Sequence, residues 1–350
     1  MTYTRNILVV RLSALGDILI SVPLVKAYAK ANPKTLFTVL SAPMTQEFFK
    51  GVENIRFIAD PLKKKKAGFF GIVKYARELV SSSKRSGEPI TAVADIHDVL
   101  RTKVLRTALA VSGMKVASIN KERAARNALT REKNKVLAPI KSSMRKYEEV
   151  FVRLGLKDLN FSTAPYPMNS LEGRTYVAIG IAPFAAQEGK VWPFEYVEEC
   201  VRILSGDPNN RIHLFGGGKK EKEALEMLES NYPNTVSEAG KHTLFEEGEI
   251  ISKLDVMVTM DSANMHLASL VGTPVISIWG ATHPFAGFYG HGQNPEWAMG
   301  LALPCRPCSV YGKKPCTKGN YPCMRGIKPE ALVEKIHQVI SQRASQELNS

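Results

Sequence analysis

Val258-Thr259-Met260-Asp261-Ser262-Ala263-Asn264-Met265-His266-Leu267-Ala268-Ser269-Leu270-Val271-Gly272-Thr273-Pro274-Val275-Ile276-Ser277-Ile278-Trp279-Gly280 reads as strand, polar turn, helix, glycine stop and strand. A helix opening at Ser262 presents free backbone N–H groups and the positive end of its dipole at the strand edge, which is an anion site in waiting. Asp261 or Ser262 would also serve as a plain N-cap. His266 one turn along, and a second polar turn at Gly280-Ala281-Thr282-His283-Pro284, favour function over capping.

The same alternation runs outward in both directions. Strands are expected over 6–11, 35–40, 55–58 and 90–95, with helices over 18–31, 69–81 and 99–110. The composition shifts at Pro165-Tyr166-Pro167, a linker. Strands then recur at 176–181, 211–215, 254–259 and 273–279, separated by helices over 193–205, 219–230 and 262–271. An amphipathic helix from Lys328 to Glu347 closes the chain. Strands alternating with helices imply parallel sheets covered on both faces. The fold class is α/β, with two Rossmann-like doubly wound domains over 1–165 and 166–327, and a helix in 328–350 that packs back across the domains. Ligands of such sheets sit outside the carboxyl ends of the strands, so a central cleft between facing domains is the default site.

Charge is divided unevenly. Of the net +14, residues 1–165 hold 30 Lys+Arg against 13 Asp+Glu, and the remainder holds 17 against 20. A one-sided basic field selects a polyanionic partner: nucleic acid, an anionic membrane or a phosphorylated substrate. No nucleic-acid module is recognisable, and the basic residues lack interleaved aromatic platforms. A non-catalytic binder of anionic polymers is the rival from another class. No apolar run reaches the length of a membrane helix, and the N-terminus has no secretory h-region, which together read as a cytoplasmic protein.

Cys200 stands alone as a packed thiol. Cys305, Cys308, Cys316 and Cys323 crowd into one late loop. Their number fits a structural Zn²⁺ site, and reduced loop thiols or a disulfide fit as well. The triplet Gly216-Gly217-Gly218 is neither G-x-G-x-x-G nor a Walker loop, which argues against a dehydrogenase and a phosphate-loop NTPase.

The Asp261-Ser262-x-x-Met265-His266-Leu267-Ala268 core with Gly272-Thr273-Pro274 resembles the ADP-heptose:lipopolysaccharide heptosyltransferases, glycosyltransferase family 9. So do Arg11-Leu12-Ser13-Ala14-Leu15-Gly16-Asp17, Asp95-Ile96-His97 with Arg101, and Lys190-Val191-Trp192-Pro193. The resemblance implies a GT-B fold and an inverting transfer of heptose from ADP-heptose to a phosphorylated inner-core lipid saccharide at the cytoplasmic face of the inner membrane. A same-fold enzyme with another sugar nucleotide is the nearest alternative. No cofactor is implied.

The resemblance assigns roles. Asp17, otherwise a helix N-cap carboxylate, becomes the general base that takes the acceptor hydroxyl proton, with Gly16 admitting the ligand to the backbone. Lys190 contacts the donor phosphates and offsets the charge of the departing diphosphate. Glu221 matches the ribose-holding position. Asp261, Ser262, Ala263, Asn264 and His266 complete the donor side. Family members carry Thr or Ser where this chain has Ala185-Ala186-Gln187-Glu188-Gly189. The acceptor side draws on His97, Arg101, Lys64 and Arg123. Singly, each of Arg101, Lys103, Arg106, Arg123, Arg126, Arg131, Arg145 and Lys146 reads as a solvated surface charge. Lys63–Lys66 with Phe69 and Phe70 would suit anionic headgroups. Phe69, Ile72, Val73 and Ala76 also read as the core-facing stripe of a helix.

Overall fold

The computed structural model describes residues 3–62, 68–161 and 174–347. They belong to two compact units, one comprising Met1–Lys121 and Ser142–Ala164, the other Glu122–Lys141 and Pro165–Ser350. The linker expected at Pro165-Tyr166-Pro167 and the lysine run 63–66, Lys64 included, lie outside the described residues.

The first unit is built from β1 (Arg5–Arg11), α1 (Leu15–Ala31), β2 (Thr35–Ser41), β3 (Ile55–Ala59), α2 (Phe69–Arg85), β4 (Ala92–Asp95), α3 (Leu100–Val111) and β5 (Lys115–Ser118). The chain then contributes α4 (Arg123–Thr130) to the second unit before α5 (Ser143–Arg153) completes the first. Its sheet is parallel throughout, in the order β3-β2-β1-β4-β5. The near-continuous apolar run of β1 reflects burial on both faces. Leu8 and Val10 join Leu40, Ile72, Ala76, Leu105 and Leu109 on one side. On the other, Phe151 of α5 stacks on Tyr28 of α1 at 4.6 Å and meets Phe37 of β2 edge-on.

The second unit runs β6 (Val177–Ala182), α6 (Phe194–Ser205), β7 (Asn210–Leu214), α7 (Lys219–Asn231), β8 (Thr235–Ser237), α8 (Leu244–Ile251), β9 (Val256–Met260), α9 (Ala263–Leu270), β10 (Val275–Ile278), β11 (Ala298–Met299), α10 (Pro322–Arg325) and α11 (Pro329–Glu347). Its parallel sheet is ordered β11-β10-β9-β6-β7-β8. Cys200 is buried in this core, and burial pushes its thiol up to about 12. In both sheets the first strand lies where the order of connection reverses. The ends of β1 and β4, and of β6 and β9, therefore flank the crevices where doubly wound folds bind ligands.

Three expectations change. Residues 122–141, six of them Lys or Arg, pack with the second unit rather than the first. The last helix does not stand apart: Leu332, Val333, Ile336 and Val339 are core residues of the second unit, and Arg343 donates to the carbonyls of Leu254 and Asp255. The buried stripe of α2 is Ile72, Ala76 and Leu79, whereas Phe69 and Phe70 stay 61% and 86% exposed. They sit in the helix's first turn, ahead of the stripe that the sheet covers.

Candidate active site

In the first unit, the chain leaves β1 at Arg11 and enters α1 at Leu15, placing Asp17 in the first helical turn. No side chain caps this helix. The Asp17 carboxylate instead forms an ion pair with Arg11 through Oδ2 and accepts from the Tyr147 hydroxyl on Oδ1 at 3.1 Å. Tyr147 is held one turn before Phe151 on α5, and the Arg11 guanidinium lies over its ring at 5.6 Å. Arg11 donates also to the Ile96 carbonyl at 2.6 Å. Burial alone would lower the Arg11 pKa, but Asp17, Tyr147 and Asp95 outweigh it and leave it raised.

His97 follows β4 across the same crevice. Its Nδ1 accepts from the Leu12 N–H and its Nε2 lies 3.4 Å from Ser13 Oγ. The contact from the backbone amide requires Nδ1 to be the unprotonated nitrogen. Burial, with Arg11 and Lys121 nearby, holds the His97 pKa down at about 3, so the ring is neutral near pH 7. Asp95 fixes the turn by accepting from the N–H groups of His97 and Asp98 and pairing with Arg106. Arg106 is thus structural, and Arg101 leans toward Asp60 at 3.8 Å. Arg145 is bound to Asp158 and Glu148, and Lys146 is buried, so neither is the solvated charge expected. Arg123 is exposed on α4, in the second unit rather than the first.

In the second unit, Lys190 and Asp261 meet. The loop after β6 brings the Lys190 ammonium 2.8 Å from Asp261 Oδ2 and lets it donate to the Asp261 carbonyl at 3.2 Å. Trp192 anchors this loop, being 2% exposed with its indole N–H donating to the Ile327 carbonyl. Gly189 is required by close approach: a Cβ there would stand 2.8 Å from Ala281 Cβ, and the Ala281 N–H donates to the Gly189 carbonyl. Ser262 occupies the N-cap of α9, yet its side chain makes no capping bond and shares a hydrogen bond with Thr259 Oγ1 at 3.0 Å. The first-turn amides of Ala263 and Asn264 are therefore free of side-chain capping, as an anion-binding helix start requires. His266 is buried one turn further on. Glu221 accepts from the Gly217 N–H at 2.7 Å, closing its own glycine loop.

The four loop cysteines are all free thiols. Among the described residues, no group of three or more His, Cys, Asp or Glu side chains is placed to hold a metal ion. Burial, added to by the neighbouring thiols, raises the pKa of Cys308 and Cys323. Among the described residues, the optional zinc site is therefore not supported by a ligand set.

Residues 118–317 match the family model of glycosyltransferase family 9 (heptosyltransferase). The chain belongs to this family. It is 26% identical over 166 residues to lipooligosaccharide heptosyltransferase 2 of Campylobacter jejuni, covering 46% of the chain and 51% of the relative. Over 155 residues it is 28% identical to lipopolysaccharide heptosyltransferase 1 of Pseudomonas aeruginosa, covering 44% and 38%. The chain therefore spans about half the length, or less, of these curated relatives. Its fold is that of a glycosyl transferase family 9 structure from Veillonella parvula, with TM-score 0.71, 18% identity and coverage of 98% and 99%. It is also that of the Escherichia coli heptosyltransferase WaaC solved with ADP-2-deoxy-2-fluoro heptose, with TM-score 0.66, 16% identity and coverage of 95% and 99%. Both likenesses agree with the two doubly wound sheets. Among the described residues, no helix is long and apolar enough to cross a membrane.

Arg11 and Tyr147 are the members of the cluster to which sequence reasoning assigned no role. Arg11 opens the Arg-x-Ser-x-x-Gly-Asp turn, so its signal was available. Tyr147 lies 130 positions from Asp17, and only helix packing brings them together.

Proposed function

We propose that this protein is an inverting glycosyltransferase that moves heptose from ADP-heptose to a phosphorylated lipopolysaccharide inner-core saccharide. The observation that carries the reading is the Lys190–Asp261 pair at the uncapped start of α9. A cation and free amides converge where a diphosphate would lie, with a carboxylate beside them to accept from sugar hydroxyls.

In this reading Asp17 takes the proton of the acceptor hydroxyl. The new C–O bond forms at the anomeric carbon as the bond to the β-phosphate oxygen breaks from the opposite face, and ADP leaves. Arg11 pairs with one oxygen of the Asp17 carboxylate and the Tyr147 hydroxyl donates to the other, which fixes the orientation of the carboxylate. Lys190 and the α9 amides hold the charge that grows on the leaving diphosphate, and no cofactor is invoked. His97, a neutral ring beside Asp17, is suited to orient an acceptor hydroxyl, with Arg101 and Arg123 as candidate acceptor contacts. Glu221 is assigned to the ribose. The protein would act at the cytoplasmic face of the inner membrane as a peripheral enzyme. The exposed Phe69–Phe70 pair, next in sequence to Lys63–Lys66, supports that contact.

The test is ADP release from ADP-heptose in the presence of a phosphorylated acceptor, with calorimetry against ADP, UDP and GDP. Preference for ADP and loss of transfer in Asp17→Ala are expected. Equal affinity for the three nucleotides, or near-normal transfer by the variant, overturns the reading.

A further inference from the structure

Among the described residues, the buried arginines other than Arg126 each meet a carboxylate or at least two backbone carbonyls. Arg11 has Asp17 and the Ile96 carbonyl. Arg306 donates to the carbonyls of Gly280, Trp279, Leu301 and Thr282. Arg126, on α4, is 8% exposed and pairs with no carboxylate among the described residues. Its Nη1 donates to the Tyr311 hydroxyl at 2.5 Å, and its guanidinium lies 5.0 Å from the Phe288 ring centroid and 5.8 Å from that of Tyr311. Its Nε is buried without a partner. Nη2 also has no partner among the described residues but is not sealed from solvent, so it is the end of the group that opens outward. Aromatic faces offset part of the cost of burying such a charge. They leave its hydrogen-bonding capacity unused.

The position of this group is held firmly. Lys135 donates to the carbonyls of Pro304, Cys305 and Pro307, and the Ile140 N–H donates to the Phe285 carbonyl at 2.9 Å. Segment 122–141 is thereby tied to the chain just before Phe288 and just before Tyr311. Tyr311 leads directly to Gly312, whose backbone is pressed on Lys190: a Cβ at Gly312 would stand 2.7 Å from Lys190 Cγ and 3.3 Å from Cε. The phenol that holds Arg126 is thus joined through one peptide to the stem of the lysine assigned to the donor phosphates.

We propose that Arg126 is a second oxyanion-binding residue of the second unit, whose outward N–H groups take a phosphoryl oxygen of one of the two substrates. The inference rests on the glycosyl-transfer reading above. A fixed, always charged, planar donor lacking a carboxylate suits a phosphate oxygen better than a sugar hydroxyl. The same chemistry is offered by the donor diphosphate and by a phosphate on the acceptor, and the experiment separates them.

ADP and inorganic pyrophosphate are titrated by calorimetry into the wild type, Arg126→Gln and Arg126→Lys, and the KM for phosphorylated acceptor is measured on each. Arg126→Gln with an unchanged melting temperature should weaken one parameter roughly tenfold to a hundredfold. A loss in ADP and pyrophosphate affinity assigns the group to the donor, and a rise in acceptor KM assigns it to the acceptor. Arg126→Lys keeps the charge but not the planar donor. It should weaken the same parameter less, and it carries the test if the Gln variant does not fold. Wild-type values of both parameters in a folded variant overturn the proposal. If the wild type binds pyrophosphate but shows no preference for ADP, the nucleotide reading fails alone, and the Arg126 variants are judged on pyrophosphate. Absence of any pyrophosphate binding or acceptor turnover by the wild type overturns both.

Discussion

The Tyr147 hydroxyl donates to Asp17 Oδ1 at 3.1 Å, tying α5 to the first turn of α1. With Arg11 on the other oxygen, the carboxylate is held from two sides. Tyr147→Phe should retain the fold and lower kcat roughly tenfold, the worth of one hydrogen bond to a charged group. Asp17→Ala should lower it by about 10²–10⁴. Steady-state ADP release from both variants checks the order, and an unaltered kcat in Tyr147→Phe would remove its positioning role.

Lys190→Met leaves the Asp261 carboxylate, 6% exposed, without its cation. Breaking a buried pair from one side costs about 3–5 kcal/mol. The double variant Lys190→Met/Asp261→Asn should therefore regain most of the lost stability by urea unfolding without regaining ADP affinity. Recovery of ADP binding in the double variant would make Lys190 a purely structural residue.

Gly312 has φ +74, and a Cβ on it would meet Lys190 Cγ at 2.7 Å. Gly312→Ala should destabilise by roughly 1–3 kcal/mol and weaken ADP binding together, because strain and lysine displacement share one cause. Gly319, with φ +69 but nothing within 4 Å of an added Cβ, is the matched control, and Gly319→Ala should show the backbone strain alone and leave ADP affinity unchanged. A Gly312→Ala protein with native ADP affinity would show that the lysine stem is free to move aside.

The His97 pKa is held at about 3, by burial first and by Arg11 and Lys121 next, against an ordinary value of 6.5. The unfolded chain therefore takes up the proton first as pH falls. Stability is unaffected above about pH 6.5 and declines between 6.5 and 3. His97→Gln removes this component, so its stability relative to wild type should improve by roughly 2–3 kcal/mol between pH 7 and pH 4. Urea unfolding at several pH values measures the difference. Parallel curves would mean that His97 is not held neutral.

Sequence by itself determined the architecture, because local signals agree with the fold at each step. The apolar run 6–11 cannot be half exposed, so it becomes β1, buried on both sides, and the Asp261-Ser262 turn falls where β9 must hand over to α9. The pairing of Lys190 with Asp261 was approachable too, since both lie at the carboxyl ends of strands, although nothing local states that β6 and β9 are neighbours. Tertiary structure alone decided which charges are free. Arg106, Arg145 and Arg126 read alike as surface cations, but the first two find carboxylates and the third finds a phenol and two ring faces. It also decided that residues 122–141 leave the first unit, a choice set by contacts at Pro304, Cys305 and Pro307 some 170 positions away. The physical reason is one of range. Periodicity and turn chemistry act over a few residues, whereas the partner of a buried charge is set by packing between segments that sequence leaves far apart.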